Sequence, residues 1–510
     1  MTDIQRQRLA ELPSVTRRGF FDQVSQGTMG AALTYLLSRD LYGDSRLPAA
    51  EPAPAEPDGA RQVYDLKPRQ SHFEPEAKSV IHLFMNGGPS HMDLFDPKPM
   101  LNQHHGRPYL DQLTASEIQG LEEAGALLGS SFQFAPHGES GVWLSEALPH
   151  LAKRVDDIAF IRSMFTSSPS HERALYKIHS GRILPGLPTL GSWITYGLGS
   201  ENQNLPAYVV LDDPLGLPVN GVKNWQAGYL PPLYQGTRLR STGTPILNLH
   251  PEVEDPPEIA RLAGNLLSRL DRIHKRKRPR QPQLDARIAS YELAARMQLA
   301  ATDALDLSQE TKQTLEMYGV GNKPKYTGRL HPMDGPDSYA RRCIMARRLV
   351  ERGVQFVQIF VNSQIWDMHS HLENEIRAAC DKTDKPVAAL LKDLKQRGLL
   401  DSTLVIWGGE FGRLPISEYQ NGNRAAGRDH NPHAFTSWMS GGGVKGGTVY
   451  GATDDFGYRA VENRVSVADF HATILHLLGL HHDELFFERN GLNDKLTFTN
   501  EARVVKEILA

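Results

Sequence analysis

Apolar positions along the chain fall into short continuous runs and longer periodic ones. "SVIHLFMNGG" (79–88) is an apolar run with β-branched residues that stops at two glycines, which suits a buried strand ending in a tight loop. "DIAFIRSM" (157–164) and "AYVVLDD" (207–213) read the same way. Residues 205–256 are dense in Pro and Gly and are expected to form long surface loops. From about Pro257 to Tyr318 the pattern turns helical, interrupted by the basic run "HKRKRPRQP", where Pro279 and Pro282 break the helix. That run reads as a solvated helix end rather than a patch for a polyanion.

After Pro336 the pattern becomes regular. "SYARRCIMARRLVERG" predicts a helix closed by Gly353, and "VQFVQIFV" a strand. "NEIRAACDKTDKPVAALLKDLKQRG" is helical up to Gly398, with Pro386 marking a break or a second start. "STLVIWGG" is a further strand, and "SVADFHATILHLLG" (466–479) a last helix with a Ser start and a Gly stop. Alternating strands and helices predict an α/β fold, a mostly parallel sheet with helices on both faces and long loop insertions. Ligands of such sheets bind at the carboxyl ends of the strands.

Composition narrows the function. A length of 510 residues allows one large domain with insertions, and 40% apolar residues is ordinary for a globular chain. A formal charge of −3 excludes a nucleic-acid binder by bulk charge. Two cysteines, Cys343 and Cys380, exclude a disulfide framework and a Cys-rich zinc site, and leave open whether they pair. "TRRGFF" (16–21) is a twin-arginine pattern, followed by a mildly apolar run too short to span a bilayer and by the Pro/Ala/Glu-rich "LPAAEPAPAEPDG". We expect a signal segment over 1–45, a disordered linker over 46–75, and a globular domain over 76–510. The expected location is periplasmic or extracellular, with the twin-arginine translocase as a partner during export, and neither nucleic acid nor a stable membrane span is expected.

Eight of the twenty histidines lie after Ile365. Polar clusters follow the expected strands: "NGGPSHMD" (86–93), "SSPSHERALYKIHSGR" (167–182), "WDMHSH" (366–371), "GGEFGR" (408–413), and then "GRDHNPH" (427–433). Carboxylates mixed with imidazoles at successive strand ends suit zinc, manganese or magnesium, with calcium a further candidate. The candidate metal ligands are Asp93, Asp367, His369, Glu410, Asp429 and His430, with His371 set further from the strand. Arg162 and Arg173 are candidates for an anionic ester group, since a guanidinium meets a tetrahedral oxyanion with two bonds. Asn86, Ser90, His91, His433 and His471 are candidate substrate contacts. Trp366 is either a wall of the site or core, and "GGGVKGG" (441–447) lacks the spacing of a phosphate loop and reads as a turn.

Long stretches of the chain resemble the bacterial DUF1501 family, a twin-arginine-exported group of planctomycete type. The matching stretches include "MNGGPSHMDLFDPKP", "LGSWITYGLGSENQNLPAYVVL", "YELAARMQ", "ARRLVERGVQFVQIF", "LLKDLKQRGLLDSTLVIWGGEFGRLP", "GRDHNPHAF" and "DFHATILHLLGL". That family is in turn similar to the alkaline phosphatase and sulfatase superfamily, which implies an alkaline-phosphatase-like sheet. By that likeness Glu410 falls where an Asp ligand sits, Phe411 where a His ligand should be, and Asn86 where an Asp is expected, with Asp93 as its replacement. The sulfatase nucleophile motif fits in two registers, one placing Ser167 and the other His171 at the nucleophile, and no cysteine lies nearby for a formylglycine. The resemblance implies an exported metal-dependent hydrolase of phosphate or sulfate esters, acting on a small-molecule or polysaccharide ester. The alternative is a binding protein with a decayed site, for a sulfated polysaccharide or a cell-surface partner.

Overall fold

Ser79–Phe84 forms strand β1, and every one of its residues is buried. A strand sends successive side chains to opposite faces. Ile81 and Leu83 therefore join one apolar core, and Val80 and Phe84 another. One strand feeding two cores means a sheet covered on both sides. The computed structural model describes residues 64–109, 125–240, 256–276, 282–417, 426–498 and 501–510. The twin-arginine segment and most of the expected linker lie outside the described residues.

Along the chain, the sheet comprises β1, β2 (Ile158–Phe165), β3 (Tyr208–Leu211), β4 (Thr237–Leu239), β5 (Phe356–Phe360), β6 (Thr403–Gly408), β7 (Phe435–Ser440), β8 (Thr448–Tyr450) and β9 (Val465–Ser466). Their spatial order is β8-β2-β7-β6-β1-β5-β3-β4, with β9 also on β2. β1 runs parallel to β5 and β6, with Val80 opposite Phe356 and Leu404. β7 is antiparallel to both β6 and β2. Hence β1, β2, β5 and β6 all end at the same edge, and β7 starts there. That edge gathers the five polar clusters.

The principal helices are α1 (His171–Ser180), α2 (Leu190–Leu198), α3 (Pro257–Arg276), α4 (Pro282–Leu305), α5 (Pro336–Glu351), α6 (Leu372–Gln396) and α7 (Val467–Leu477). α4, α5 and α6 supply one core, through residues such as Met297, Leu349 and Leu390. α1, α2 and α7 supply the other, through Ile178, Trp193 and Ile474. This is the mostly parallel α/β sheet, covered by helices on both faces, that the periodicity predicts. α7 begins with a capping box: Ser466 Oγ accepts from Asp469 N at 3.1 Å, and Asp469 Oδ2 accepts from Ser466 N at 2.9 Å.

Three local features differ from the sequence reading. Pro386 does not break α6, which runs through it as one 25-residue helix. An interior proline costs about 3 kcal/mol, and the burial of Val387, Leu390, Leu391 and Leu394, roughly 1.5–3 kcal/mol each, outweighs it. The Pro/Gly-rich stretch contributes, besides the expected strand β3, the short β4, which pairs in parallel with β3. Residues 64–75, at the end of the expected linker, bond to the helical side of the fold, Arg69 N to Leu198 O at 2.8 Å and His72 N to Gly479 O at 2.9 Å. Both cysteines are free and buried. Beyond the apolar cores, Asp213 after β3 ties α5 to α6 through Arg342 at 2.5 Å and Lys382 at 3.0 Å, all three side chains being fully buried. Loss of Asp213 would leave the buried Arg342 without a carboxylate, at about 3–5 kcal/mol, while Lys382 keeps Asp334 at 2.5 Å.

Candidate metal centre

The loop after β1 sets the floor of the site. Gly87 and Gly88 have φ of +111° and +75°, a region that favours glycine. A Cβ on Gly87 would sit 2.5 Å from Asp367 N, and one on Gly88 2.6 Å from the Phe411 ring. The two glycines therefore let the loops after β1, β5 and β6 close on one another. Arg413 locks that contact. Its guanidinium donates to the carbonyls of Gly87, Gly88, Trp366 and Arg428 and to Asp367 Oδ1, the last at 2.6 Å. Arg413 is fully buried.

Asp367 is the hub. Its Oδ1 lies 2.7 Å from His369 Nε2, 3.1 Å from His430 Nε2 and 3.3 Å from His171 Nε2. His369 Nε2 and His430 Nε2 are 3.1 Å apart. The four residues offer ligand atoms that all lie within 4.8 Å of one another. Side-chain exposure runs from 9% at His430, through 11% at His171 and 15% at Asp367, to 30% at His369, so the cluster opens to solvent on the His369 side. The rings come from the first turn of α1, the loop after β5, and a short ladder in which His430 pairs with Arg413.

Their tautomers suit a metal. His171 Nδ1 donates to Glu410 Oε1 at 2.7 Å, which leaves its Nε2 lone pair facing inward. His430 Nδ1 donates to Pro169 O at 2.7 Å with the same consequence. His171 Nε2 is buried and has no well-aligned hydrogen bond. An orphaned buried acceptor aimed at two further imidazoles and a carboxylate is a donor set for a divalent ion. Four N and O donors around zinc at ~2.1 Å would stand roughly 3.4 Å apart; Asp367 lies 2.7–3.3 Å from the three imidazoles, and all the donors lie within 4.8 Å of one another. The residues present therefore fit a bound ion.

Electrostatics favour an ionised Asp367 and a neutral His430, and favour a proton on His171 that a bound ion would have to displace. Burial alone would raise the Asp367 carboxyl, but Arg413 and the three imidazoles hold it far below the usual carboxylate range. Burial pushes His430 down to about 3 despite Asp367, so it stays neutral, as a ligand must. Burial also opposes the charge on His171, but two carboxylates, Asp367 and Glu410, outweigh it and raise the imidazole.

The other candidates are placed as follows. Glu410 is fully buried and accepts from Gly87 N at 2.9 Å and from His171, so it orients the His171 ring from outside the cluster. Phe411 packs its ring 4.8 Å from that of His171 and 4.6 Å from that of His430, forming an apolar wall. Asp429 Oδ1 accepts from His430 N at 2.7 Å and lies outside the four. Asp93 is buried against Arg428, at 2.8 Å, and Ser90, at 2.5 Å; a carboxylate so occupied serves the packing of its loop. His91 Nε2 meets Gly457 O, Asn86 Nδ2 donates to Val361 O, and His433 meets the Tyr458 ring edge-on. Ser167 and Arg173 are exposed, on either side of His171 in sequence. Arg162 faces Asp96 and the Trp143 carbonyl. His471 is buried on the opposite side of α1, bonded to Ile178 O. Trp366 belongs to the core at 1% exposure. His371 has φ +54° and caps the start of α6. Two members of the site carry no sequence signal of their own: Arg413, and His331, whose imidazole bonds the Asp367 carbonyl.

Several solved structures overlap the chain loosely. A sulfatase of Pseudoalteromonas sp. is 12% identical with a TM-score of 0.32, covering 79% of this chain and 68% of that one. A phosphonate monoester hydrolase of Silicibacter pomeroyi is 11% identical with a TM-score of 0.32, over 85% and 76%. A protein in the alkaline phosphatase superfamily from Vibrio parahaemolyticus is 9% identical with a TM-score of 0.37, over 86% and 72%. No curated protein matches. The model of DUF1501, protein of unknown function, matches residues 77–509, and the chain belongs to that family.

Proposed function

We propose that the protein is a metal-dependent hydrolase of phosphate or sulfate esters, with one divalent ion held by His171, Asp367, His369 and His430. The observation that carries the reading is the convergence of three Nε2 atoms on one partly buried carboxylate, with His171 Nε2 lacking a well-aligned hydrogen bond. When bound, the ion supplies Lewis-acid stabilisation of charge on the ester oxygens. The chain does the rest. Glu410 and the Pro169 carbonyl keep two imidazoles in the ligating tautomer, and Arg413 fixes the carboxylate. Phe411 keeps water from the inner side, and the partly exposed His369 marks the side from which an ester enters. Arg173, exposed two residues after His171, is our assignment for the ester's anionic group. Export through the twin-arginine route, guided by Arg17 and Arg18, completes the reading. No helix among the described residues is long and apolar enough to cross a membrane.

The test is metal analysis of the full-length protein together with turnover of aryl sulfate and aryl phosphate esters. One ion per chain with turnover supports the reading. No ion and no turnover with added zinc, manganese, magnesium or calcium would sink it. An ion without turnover would favour the binding-protein alternative.

A further inference from the structure

A trough runs along one face of α6. It begins at His371, two residues past His369, as a cavity of about 400 Å³ that also takes in Arg329, Asn374 and Arg377. Tyr326 and Arg377 join it to a second cavity of about 170 Å³. His150 and Lys385 join that one to a third of about 270 Å³, which reaches Lys392. Arg377, Asp381, Lys385, Ala388 and Lys392 recur at helical spacing, so a single helix face forms the floor. From 371 to 392 the trough is about 30 Å long.

Its charge is one-sided. Arg329, Lys323, Lys325, Lys385, Lys153 and Lys392 form no ion pair with a described residue. The acids beside them are already engaged. Glu146 and Glu373 both pair with Arg377 at 3.1 Å. Asp381 accepts from Lys325 N at 2.6 Å, and Asp384 from His150 N and Leu151 N at 2.8 Å each. Burial and then the nearby Lys153, Lys385 and Lys325 lower His150, so the lysines act as one positive field. This lies on a chain whose formal charge is −3.

We infer that the trough binds an extended anionic carbohydrate chain and feeds its ester groups to the cluster at His369. The inference rests on the hydrolase reading for its last clause, but binding in the trough stands apart from it. Lysine ammoniums on flexible stems suit sulfate or carboxylate groups spaced along a polymer. Tyr326, 41% exposed where two cavities join, offers a flat apolar face to a sugar ring, and Asn322 and Asn374 offer amides to hydroxyls. A single-stranded nucleic acid would call for a row of aromatic rings, and among the described residues Tyr326 is the one Phe, Tyr or Trp lining these cavities.

Dextran sulfate, neutral dextran and an oligo-dT strand are the probes, titrated against the full-length protein at two salt concentrations. The expected result is salt-sensitive binding of dextran sulfate, none of neutral dextran, and weaker binding of oligo-dT. The triple variant K323E/K325E/K385E is expected to lose at least tenfold in affinity. Its melting temperature, bound metal and turnover of a small aryl ester should stay as in the parent. Arginine at the same three positions should restore binding, which separates lost charge from lost folding. Equal affinity in parent and glutamate variant, or tighter binding of oligo-dT, overturns the inference. Polymer binding by a protein that turns over no ester would overturn the hydrolase reading and leave the trough intact.

Discussion

The molecule holds two groups of three histidines, one at each end of α1, and they behave in opposite ways. His171 opens the helix and meets His369 and His430 around Asp367. His179, near its end, lies in the core with His82 of β1 and His471 of α7. There the nitrogens meet neutral groups. Gln358 Nε2 stands 3.4 Å from Nδ1 of both His82 and His179, Tyr208 donates to its Oε1 at 2.6 Å, and His471 donates to Ile178 O at 2.8 Å. Burial holds all three uncharged, with His82 pushed down to about 3 and His471 to about 4. Three imidazoles alone therefore do not make a ligand set. A shared carboxylate, acceptors that fix the outer nitrogens, and an opening to solvent distinguish the first group.

The strongest way to break the contrast is Asp367→Ala. It should abolish bound metal, lower ester turnover at least about a thousandfold, and destabilise the fold by about 3–5 kcal/mol because Arg413 loses its charged partner. Metal analysis, kinetics and urea titration read the three effects. Retained metal would show that the convergence on Asp367 is not a ligand set.

Next in size is pH. The core histidines are neutral when folded and take up protons below about 6.5 when unfolded. Their folded values are depressed, so stability is full above that pH and is lost as pH falls towards about 4 and about 3. Each histidine contributes up to about 1.4 kcal/mol per pH unit. Urea midpoints between pH 7 and pH 5 should fall steeply, and His471→Leu should flatten the slope by up to about 1.4 kcal/mol per pH unit with metal content unchanged. An unchanged slope would mean that this core is already wet or charged.

Glu410→Gln should weaken metal affinity about 10–100-fold without unfolding the chain, since it loosens His171 from outside the cluster. Competition with a chelator measures that, and full retention of affinity would remove Glu410 from the ligand's support. The smallest effect is expected from His371→Gly. It relieves a left-handed residue and should stabilise by up to about 1 kcal/mol, with metal content unchanged. Loss of metal there would move His371 into the site.

The fold was readable because its signals are local. β-branched runs ending in glycine gave the strands, and glycine or proline beside periodic stretches gave the helices. The short antiparallel β7 between β2 and β6 was not, since "AFTSWMS" lacks clear alternation and its place depends on two distant partners. The site was readable as residue types at strand ends: Asp367, His369, His430 and His171 all come from quoted loops. What each carboxylate does was not. Asp93 and Glu410 look alike in sequence, yet Asp93 answers to Arg428 and Glu410 to His171, each supplied from far along the chain. Arg413 was hidden for the same reason, because its five acceptors come from three loops.

The position of β1 also governs how the chain is made. It is among the first strands synthesised, yet its neighbours are β5 and β6, which begin at residues 356 and 403. At about 5–20 residues per second, β1 waits roughly 15–55 s for its first partner. Throughout that interval a strand apolar on both faces has nothing to pair with. Growth from the ribosome therefore cannot proceed element by element, and the nascent protein is expected to depend on a holding chaperone until the last third emerges. Ribosome-bound chains truncated before Phe356 should be protease-sensitive throughout this region, and chains extended past Ser440 should not.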